Sequence, residues 1–544
     1  MSTTMPLKEC SETPPGTSEG LAAARLEGSA AGEREAGSPA ADAGNPQDEA
    51  PLTDAAVVAA HCRKLLQHSS HYLIGLVASL LLGFVSFPIF TRVFTVSEYG
   101  SIDLISKIVL LLAALAKLGQ QQSALRFYDD TDSAGRRRYY STLYLGVALT
   151  AGVTVTLFLG ASAILSRFMP QWSFGWLFVL AAVLTFAQAI QSILWSFLRV
   201  EERTKLYSVA TTIMKAVTIG VICCLLPLLG RSAQTYFSGT AVVQIAVAAI
   251  FSVALVRRDL LGFSGFDSTL FRAALAFGLP LIVYEFSGIV LDAGDRILVR
   301  YYLGGNALGY YSAAYGLSNY LNDLLLSPLH LALTPIFVSL WNTRGRDATG
   351  QFLSRGLRVY AIVSIGLIAL TGATARDAVT LLASAKYLGA DRLMPMIVAG
   401  LLVHTSQGFL SAGLMLEKKT LVLARLVALA AVFNVALNCL LLPRMGLLAA
   451  ALATLLSYVF CVLLVTRASF RVLPLDFDFR VLGKCAIAGT VAWAATSVVQ
   501  IGWTLPSLAV RSTLAVLLYV AVLSALDTRT RAGIRDGCRR LAGR

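Results

Sequence analysis

Long apolar stretches recur along the chain from about residue 72 to residue 526, and short polar gaps separate them. The stretches are about 20 residues long and apolar on all sides, as in helices that cross a lipid bilayer. The pattern predicts fourteen spans, at about 72–94, 102–125, 142–165, 174–198, 206–229, 236–256, 274–300, 308–338, 356–374, 393–416, 421–442, 446–466, 482–502 and 507–526. The predicted fold class is therefore an all-α polytopic membrane protein.

Basic residues are distributed unequally between alternate gaps. With a cytoplasmic N-terminus, the gaps around 136–138, 199–205, 257–272, 344–358, 418–419 and 467–480 and the C-terminal tail after Arg529 share one side and hold most of the arginines and lysines. Loops rich in Lys and Arg stay in the cytoplasm. The bias predicts an even number of helices, both termini in the cytoplasm, and an inner or plasma membrane location.

Composition adds two exclusions. The 544 residues are 56% hydrophobic and 14% charged, with a mean hydropathy of +0.69 and a formal net charge of +14. Because the basic residues are dispersed among short gaps and do not cluster on one soluble module, we expect no nucleic-acid partner. The eight cysteines show no CxxC spacing, so we expect no disulfide, no metal site and no cofactor.

The chain divides into segments of different composition. Residues 1–70 are rich in Ala, Gly, Pro, Ser and acidic residues, which predicts a disordered acidic cytoplasmic tail. Two six-helix blocks follow, at 71–256 and 273–466, with a polar cytoplasmic linker at 257–272. The last two helices lie within 467–526, before a basic cytoplasmic tail at 527–544. Segments 87–105 and 295–317 are weakly alike, as a duplicated six-helix unit would be.

Several stretches resemble one family in the expected order. They are TRVFTVSEYGSIDLI (91–105), LGQQQSALRFYDD (118–130), SFLRVEERTKLYSV (196–209), FGLP (277–280), DRILVRYYLGGNALGYYSAAYGL (295–317), and the segment 414–458 with its NxxLN pattern. Together they resemble the polysaccharide and lipid-linked oligosaccharide flippases of the multidrug/oligosaccharidyl-lipid/polysaccharide (MOP, MATE-like) export superfamily.

The resemblance implies two six-helix bundles in a MATE-like V, with two extra C-terminal helices. It implies a flippase that moves a polyprenyl-diphosphate-linked oligosaccharide to the outer leaflet by alternating access, for surface polysaccharide assembly. Membrane lipid and polymerase or glycosyltransferase machinery are the implied partners. It also implies that the charges at 291–300 meet water and substrate in a central cavity, with Gly304, Gly305 and Gly309 forming a tight external turn.

Basic residues within the spans are the candidates for binding a diphosphate, because an isolated diphosphate in hydrocarbon is prohibitively costly. Arginine can grip phosphate oxygens bidentately, and lysine acts as a point charge. The candidates are Arg92, Lys107, Lys117, Arg126, Lys215 and Arg296. The alternative is that their side chains reach the lipid headgroups, an explanation that suits Lys117 and Lys215 less well.

Acidic residues within the spans are the candidates for ion coupling. A carboxylate in a low-dielectric site can take up a proton, as an ion-coupled antiporter requires. The candidates are Glu285, Asp323 and Asp292. The alternative is a structural ion pair with a lysine or arginine of a neighbouring helix.

Three other functions compete with the flippase. A MATE-type drug or cation exporter would need acidic, aromatic cavity walls, whereas the first block offers lysines. A membrane glycosyltransferase would need a sizeable soluble domain with catalytic carboxylates, and the Asp-x-Asp at 476–478 lies in a short connection, so we expect no enzyme activity and no catalytic residue. A non-transporting scaffold of envelope assembly is the third.

Overall fold

Helices make up nearly all of the described structure. The computed structural model describes residues 54–128, 133–168, 175–325, 327–499, 501–532 and 535. Its helices are α1 (Asp54–Val93), α2 (Val96–Lys117), α3 (Gln120–Arg126), α4 (Ser133–Phe168), α5 (Trp176–Val200), α6 (Thr204–Leu229), α7 (Ala233–Arg257), α8 (Ser268–Ala293), α9 (Asp295–Leu325), α10 (Ser327–Ala378), α11 (Met394–Thr405), α12 (Gln407–Leu410), α13 (Ala412–Leu416), α14 (Thr420–Met445), α15 (Leu447–Ser469), α16 (Phe479–Ser497) and α17 (Thr504–Leu526).

Eleven stretches of the described residues are long and apolar enough to cross a membrane. Two of them, Ser268–Asp323 and Leu333–Ala383, are far longer than one bilayer crossing needs. The first includes the end of α8 and a bend at Gly304, and the second bends at Gly345. At both bends φ is positive, 83° and 77°, a conformation that glycine adopts without steric cost. The structure thus confirms the prediction of an all-α polytopic membrane protein.

Several helix boundaries differ from the predicted ones. Helix α1 begins at Asp54, so residues 54–70 are helical where the sequence predicted disorder. The segment contains several Ala and Leu residues, which have high helix propensity. The rest of the predicted tail, 1–53, lies outside the described residues. The predicted span 102–125 is two helices, α2 and α3, and the predicted span 274–300 ends with α8 at Ala293.

Helix α2 occupies a central position. It packs against α4, α5 and α7 from the first predicted block, and against α8 and α9 from the second. We call the end of the molecule where α1 ends and α2 begins the Thr95 end, and the end where α2 gives way to α3 the Gly119 end. A capping box between Thr95 and Glu98 starts α2, which fixes the register of its polar side chains.

The two weakly alike segments meet at the Thr95 end. Gly100 of α2 lies against Gly309 of α9, so closely that a Cβ added at Gly100 would lie 2.6 Å from the Gly309 nitrogen. A Cβ at Gly309 would overlap the Val96 carbonyl. Gly304 therefore makes the predicted turn, whereas Gly309 serves close helix packing.

Candidate functional site

Helix α2 presents three charged side chains to the second block, and each has a partner of opposite charge there. Their spacing of four and ten residues brings them to related faces of the helix. From the Thr95 end to the Gly119 end, the ion pairs are Asp103–Arg296 at 2.9 Å, Lys107–Asp292 at 3.7 Å and Lys117–Glu285 at 2.8 Å. Five of the nine predicted site residues therefore lie in one row.

The Lys117 cluster, which we define as Lys117, Gln121 and Glu285, lies at the Gly119 end. The Lys117 ammonium donates to one carboxylate oxygen of Glu285, and the Gln121 amide donates to the other at 2.9 Å. Lys117 and Glu285 keep 15% and 32% of their side-chain surface exposed. The Lys117 cluster is therefore a close ion pair whose two charged side chains remain partly exposed.

Two glycines bring the Lys117 cluster together. Leu118 and Gly119 adopt left-handed conformations with φ of 47° and 72°, which ends α2 and redirects the chain into α3. Gly119 then touches the backbone of Gly278 on α8, and a Cβ on either glycine would overlap the other segment's carbonyl oxygen. This backbone contact joins the LGQQQ segment to the FGLP segment. It places α2 and α3 where a side chain of each can donate to Glu285.

The middle pair, Lys107–Asp292, belongs to a longer chain of contacts. The Tyr458 hydroxyl donates to Asp292 at 3.2 Å, and its ring stacks on His404 with centroids 4.5 Å apart. Lys107 also borders an apolar cavity of about 220 Å³ between α2, α8 and α14. This pair is looser than its neighbours, and its two side chains remain partly exposed.

The Arg296 cluster, towards the Thr95 end, is closed. The Arg296 side chain is 1% exposed and that of Asp295 0%. Arg296 pairs with Asp103, and with Asp295 at 3.3 Å, and its guanidinium lies 4.3 Å from the Tyr315 ring centre. Tyr311 also donates to Asp295, as does Thr454 at 2.9 Å. Two guanidinium nitrogens of Arg296 and both carboxylate oxygens of Asp295 have protein partners, as a buried ion pair requires.

This closure corrects one expectation. The charges of 291–300 were expected to meet water and substrate, but Asp295 and Arg296 are enclosed between α2, α9 and α15. The tyrosines of the same segment divide likewise: Tyr311 is fully buried, whereas Tyr301 and Tyr302 are exposed. Sequence alone could not separate them, because burial here depends on which face of α9 meets α2.

Arg92 and Arg126 lie away from the row. Arg92 donates to the Leu381 and Leu382 carbonyls at 2.6 and 3.3 Å, which are in a π-helical turn after α10. Lys386 makes the reverse contact, donating to the carbonyl of Phe94 at 2.6 Å. Arg126 is exposed, with its guanidinium 4.7 Å from the Phe277 ring centre.

Lys215 and Asp323 mark a second place where charged residues of the two predicted blocks interact. The Lys215 ammonium donates to the Ser79 carbonyl at 2.6 Å, and it interacts electrostatically with the Asp323 carboxylate. Asp323 also accepts a 3.4 Å contact from Asn322. The structure therefore brings together one predicted anion-binding residue and one predicted coupling residue.

Sequence reasoning missed four participants: Asp103, Gln121, Asp295 and Tyr458. A signal existed for Asp103, because it precedes Lys107 by four residues and so shares its helix face. No sequence signal marks Gln121 or Tyr458. Their roles arise from helices that are distant in the chain.

Comparisons with known proteins identify the family. Residues 65–341 match the family model described as polysaccharide biosynthesis protein. The protein named Lsg locus putative protein 1, from Haemophilus influenzae, is 24% identical over 290 residues, which cover 50% of this chain and 66% of that protein. The chain thus spans slightly less than two thirds of this relative's length.

Two solved structures share the fold. The lipid II flippase MurJ in an inward closed conformation superposes with a TM-score of 0.63 at 15% identity, over 85% of this chain and 98% of that one. An inward-facing multidrug resistance MATE family transporter of the MOP superfamily gives a TM-score of 0.57 at 13% identity, over 72% and 97%. The chain has this multi-pass membrane fold and belongs to the polysaccharide biosynthesis protein family.

Proposed function

We propose that this protein is a flippase, which moves a polyprenyl-diphosphate-linked oligosaccharide from the cytoplasmic to the outer leaflet by alternating access. Its family membership supports a role in polysaccharide biosynthesis, and its fold is that of a flippase and of exporters. We place it in the inner or plasma membrane with both termini cytoplasmic. Polymerase or glycosyltransferase machinery would supply or use the lipid-linked sugar.

The observation that carries the proposal is the charged row along α2. A diphosphate headgroup must cross about 30 Å of hydrocarbon, and cations inside the span lower the cost of its charge. Lys107 and Lys117 lie within the span and keep part of their surface exposed, so an anion can reach them. Arg296 is enclosed, and we assign it to holding the helices together.

The remaining predicted residues enter the proposal at different points. Lys215, which donates to the Ser79 carbonyl of α1, would offer a further cation to the headgroup. Arg126, exposed at the Gly119 end, would meet the anion on entry. Glu285, Asp292 and Asp323 are proposed as the groups that exchange protons during the cycle. Arg92 is proposed to act in closure of the Thr95 end, because it donates to two backbone carbonyls of the second block there.

The test is a flipping assay with the purified protein in vesicles and a fluorescent lipid-linked oligosaccharide. Replacing both Lys107 and Lys117 by Met is expected to slow flipping at least about tenfold, because two charge-assisted contacts to phosphate are lost. Arg231→Met, at an exposed arginine outside the row, is the matched control and should flip normally. Export of an organic cation without flipping by the unmodified protein would support the MATE-type exporter instead.

A further inference from the structure

Lys117 already has an anionic partner before any substrate binds. Its ammonium lies 2.8 Å from the Glu285 carboxylate. A diphosphate that uses Lys117 must displace Glu285 or bind beside it. In either position, two negative groups come close together, which disfavours the ionised carboxylate. Anion binding at the Lys117 cluster is therefore linked to the charge on Glu285.

Gln121 can serve either form of that carboxyl group. Its amide nitrogen donates to Glu285, while its amide oxygen is buried without a hydrogen-bond partner. The residue is 6% exposed. Rotation of the amide by half a turn would present that oxygen to a protonated Glu285, which then becomes the donor. Rotation pairs the amide oxygen and leaves the amide nitrogen in the oxygen's former place, so the number of unpaired buried groups does not rise when Glu285 is protonated.

We propose that an anionic diphosphate and one proton bind the Lys117 cluster together. The diphosphate takes the Lys117 ammonium, a proton from the solvent joins the Glu285 oxygen that faces Gln121, and the rotated Gln121 amide accepts a hydrogen bond from that O–H through its oxygen. No covalent bond other than the new O–H forms, and none of the protein's bonds breaks. The inference rests on the proposed function, since it assumes that the anion uses Lys117.

The neighbouring groups leave Glu285 as the site of this proton. Helix α2 contributes Lys117, and α3 contributes Gln121. Helices α4 and α14, which also pack against α8, belong to apolar clusters with it, through side chains such as Leu143 and Val427. The next charged pair is Lys107–Asp292, two helical turns farther along α8, where α15 adds the Tyr458 hydroxyl.

The proposal fixes the sign of coupling at this site. Binding of the proton and binding of the anion favour each other at the Lys117 cluster, so both cross the membrane in the same direction. The bound proton makes the net charge that crosses less negative by one. An antiported proton would need the opposite behaviour, in which the anion expels it. If an inward proton drives the cycle, it must therefore be carried on another group, such as Asp323.

The experiment measures binding of a sugar-free polyprenyl diphosphate to the full chain in lipid nanodiscs, between about pH 8 and about pH 5.5. The affinity of the unmodified protein is expected to rise as pH falls, by up to about tenfold per pH unit. Glu285→Gln removes the titrating group and frees Lys117, so its affinity should be high and nearly level. Because the ligand itself titrates, the difference between the two profiles is the readout.

Two further variants complete the test. Glu417→Gln, at an exposed glutamate directly after α13, is the matched control and should keep the pH profile of the unmodified protein. Gln121→Leu removes the acceptor for the new O–H, so it should reduce the pH dependence even if Glu285→Gln folds poorly. In a weakly buffered solution, binding should also take up close to one proton per ligand in the unmodified protein and fewer in Glu285→Gln.

The results separate this inference from the proposed function. Parallel pH profiles for the unmodified protein and Glu285→Gln, or an affinity that falls with falling pH relative to that variant, would overturn the inference while leaving the flippase intact. Failure of the folded, unmodified protein to bind polyprenyl diphosphate at any pH would overturn the proposed function itself.

Discussion

The Lys117 cluster and the Arg296 cluster are built from the same chemistry but differ in access. Both join α2 to the second block through a cation and carboxylates. Lys117 and Glu285 are 15% and 32% exposed, whereas Arg296 and Asp295 are 1% and 0% exposed. An enclosed ion pair cannot exchange its partner for a substrate without unpacking the helices. The comparison therefore separates a charge that can bind a ligand from one that holds the fold.

The largest expected effect comes from Arg296. Arg296→Met leaves the carboxylates of Asp103 and Asp295 without their cation, which costs about 3–5 kcal/mol in a buried pair. Lys117→Met should cost about 1 kcal/mol or less, because Glu285 is partly exposed and keeps the hydrogen bond from Gln121. Thermal unfolding of both variants in the same detergent measures the difference. Equal losses of stability would break the comparison.

A smaller effect is expected at the backbone contact beside the Lys117 cluster. Gly278→Ala places a methyl group against the Leu118 carbonyl and should cost about 1–3 kcal/mol by overpacking. Gly288→Ala, on the same helix but with open space around it, is the control and should be neutral or slightly stabilising. Unfolding in detergent provides the measurement, and equal behaviour of the two variants would contradict the contact.

The smallest effect concerns a third cluster, away from α2, in which a buried carboxylate pairs with two partly exposed cations. Asp527, just after α17, accepts from Arg358 at 2.6 Å and from Lys484 at 3.0 Å. Burial raises the pKa of Asp527, but hydrogen bonds from Thr530 and Lys484 and the charge of Arg358 outweigh it and lower the pKa. Its contribution to stability is therefore complete above the unfolded pKa of about 3.9 and is lost as pH falls through the lower folded value.

Asp527→Asn tests this sign. The variant should be less stable at neutral pH and should lose less stability than the unmodified protein on acidification below about pH 4. Unfolding temperatures across this range provide the measurement. Arg480→Met, at an exposed arginine on α16, is a control that should follow the unmodified protein. A parallel pH profile for Asp527→Asn would show that the cluster contributes nothing to acid sensitivity.

The sequence predicted the fold because apolar periodicity reports directly on a hydrocarbon environment. The same periodicity ran through Leu118 and Gly119, so it predicted one span where the structure has two helices. Backbone conformations that depend on a contact with Gly278 leave no periodic signal. Helix existence was therefore predictable, and helix breaks at interhelical contacts were not.

The candidate site was predictable in its residue types and not in its pairings. Charged residues inside apolar runs stand out, and Lys107, Lys117, Glu285 and Asp292 were all identified that way. Whether such a residue is exposed depends on the helix that covers it, which is why Arg296 looked equivalent to Lys117. Neutral polar residues such as Gln121 are common in membrane helices, so the sequence does not distinguish those that take part in the site from those that do not.

Arg92 and Lys386 have a consequence for the rate at which the Thr95 end can open. Each cation donates to backbone carbonyls at the other block's helix end. Separation must break both in one event, together with the glycine contact between α2 and α9. Opening at this end should therefore be all-or-none. Its rate should rise steeply with temperature, and partly open intermediates should not accumulate.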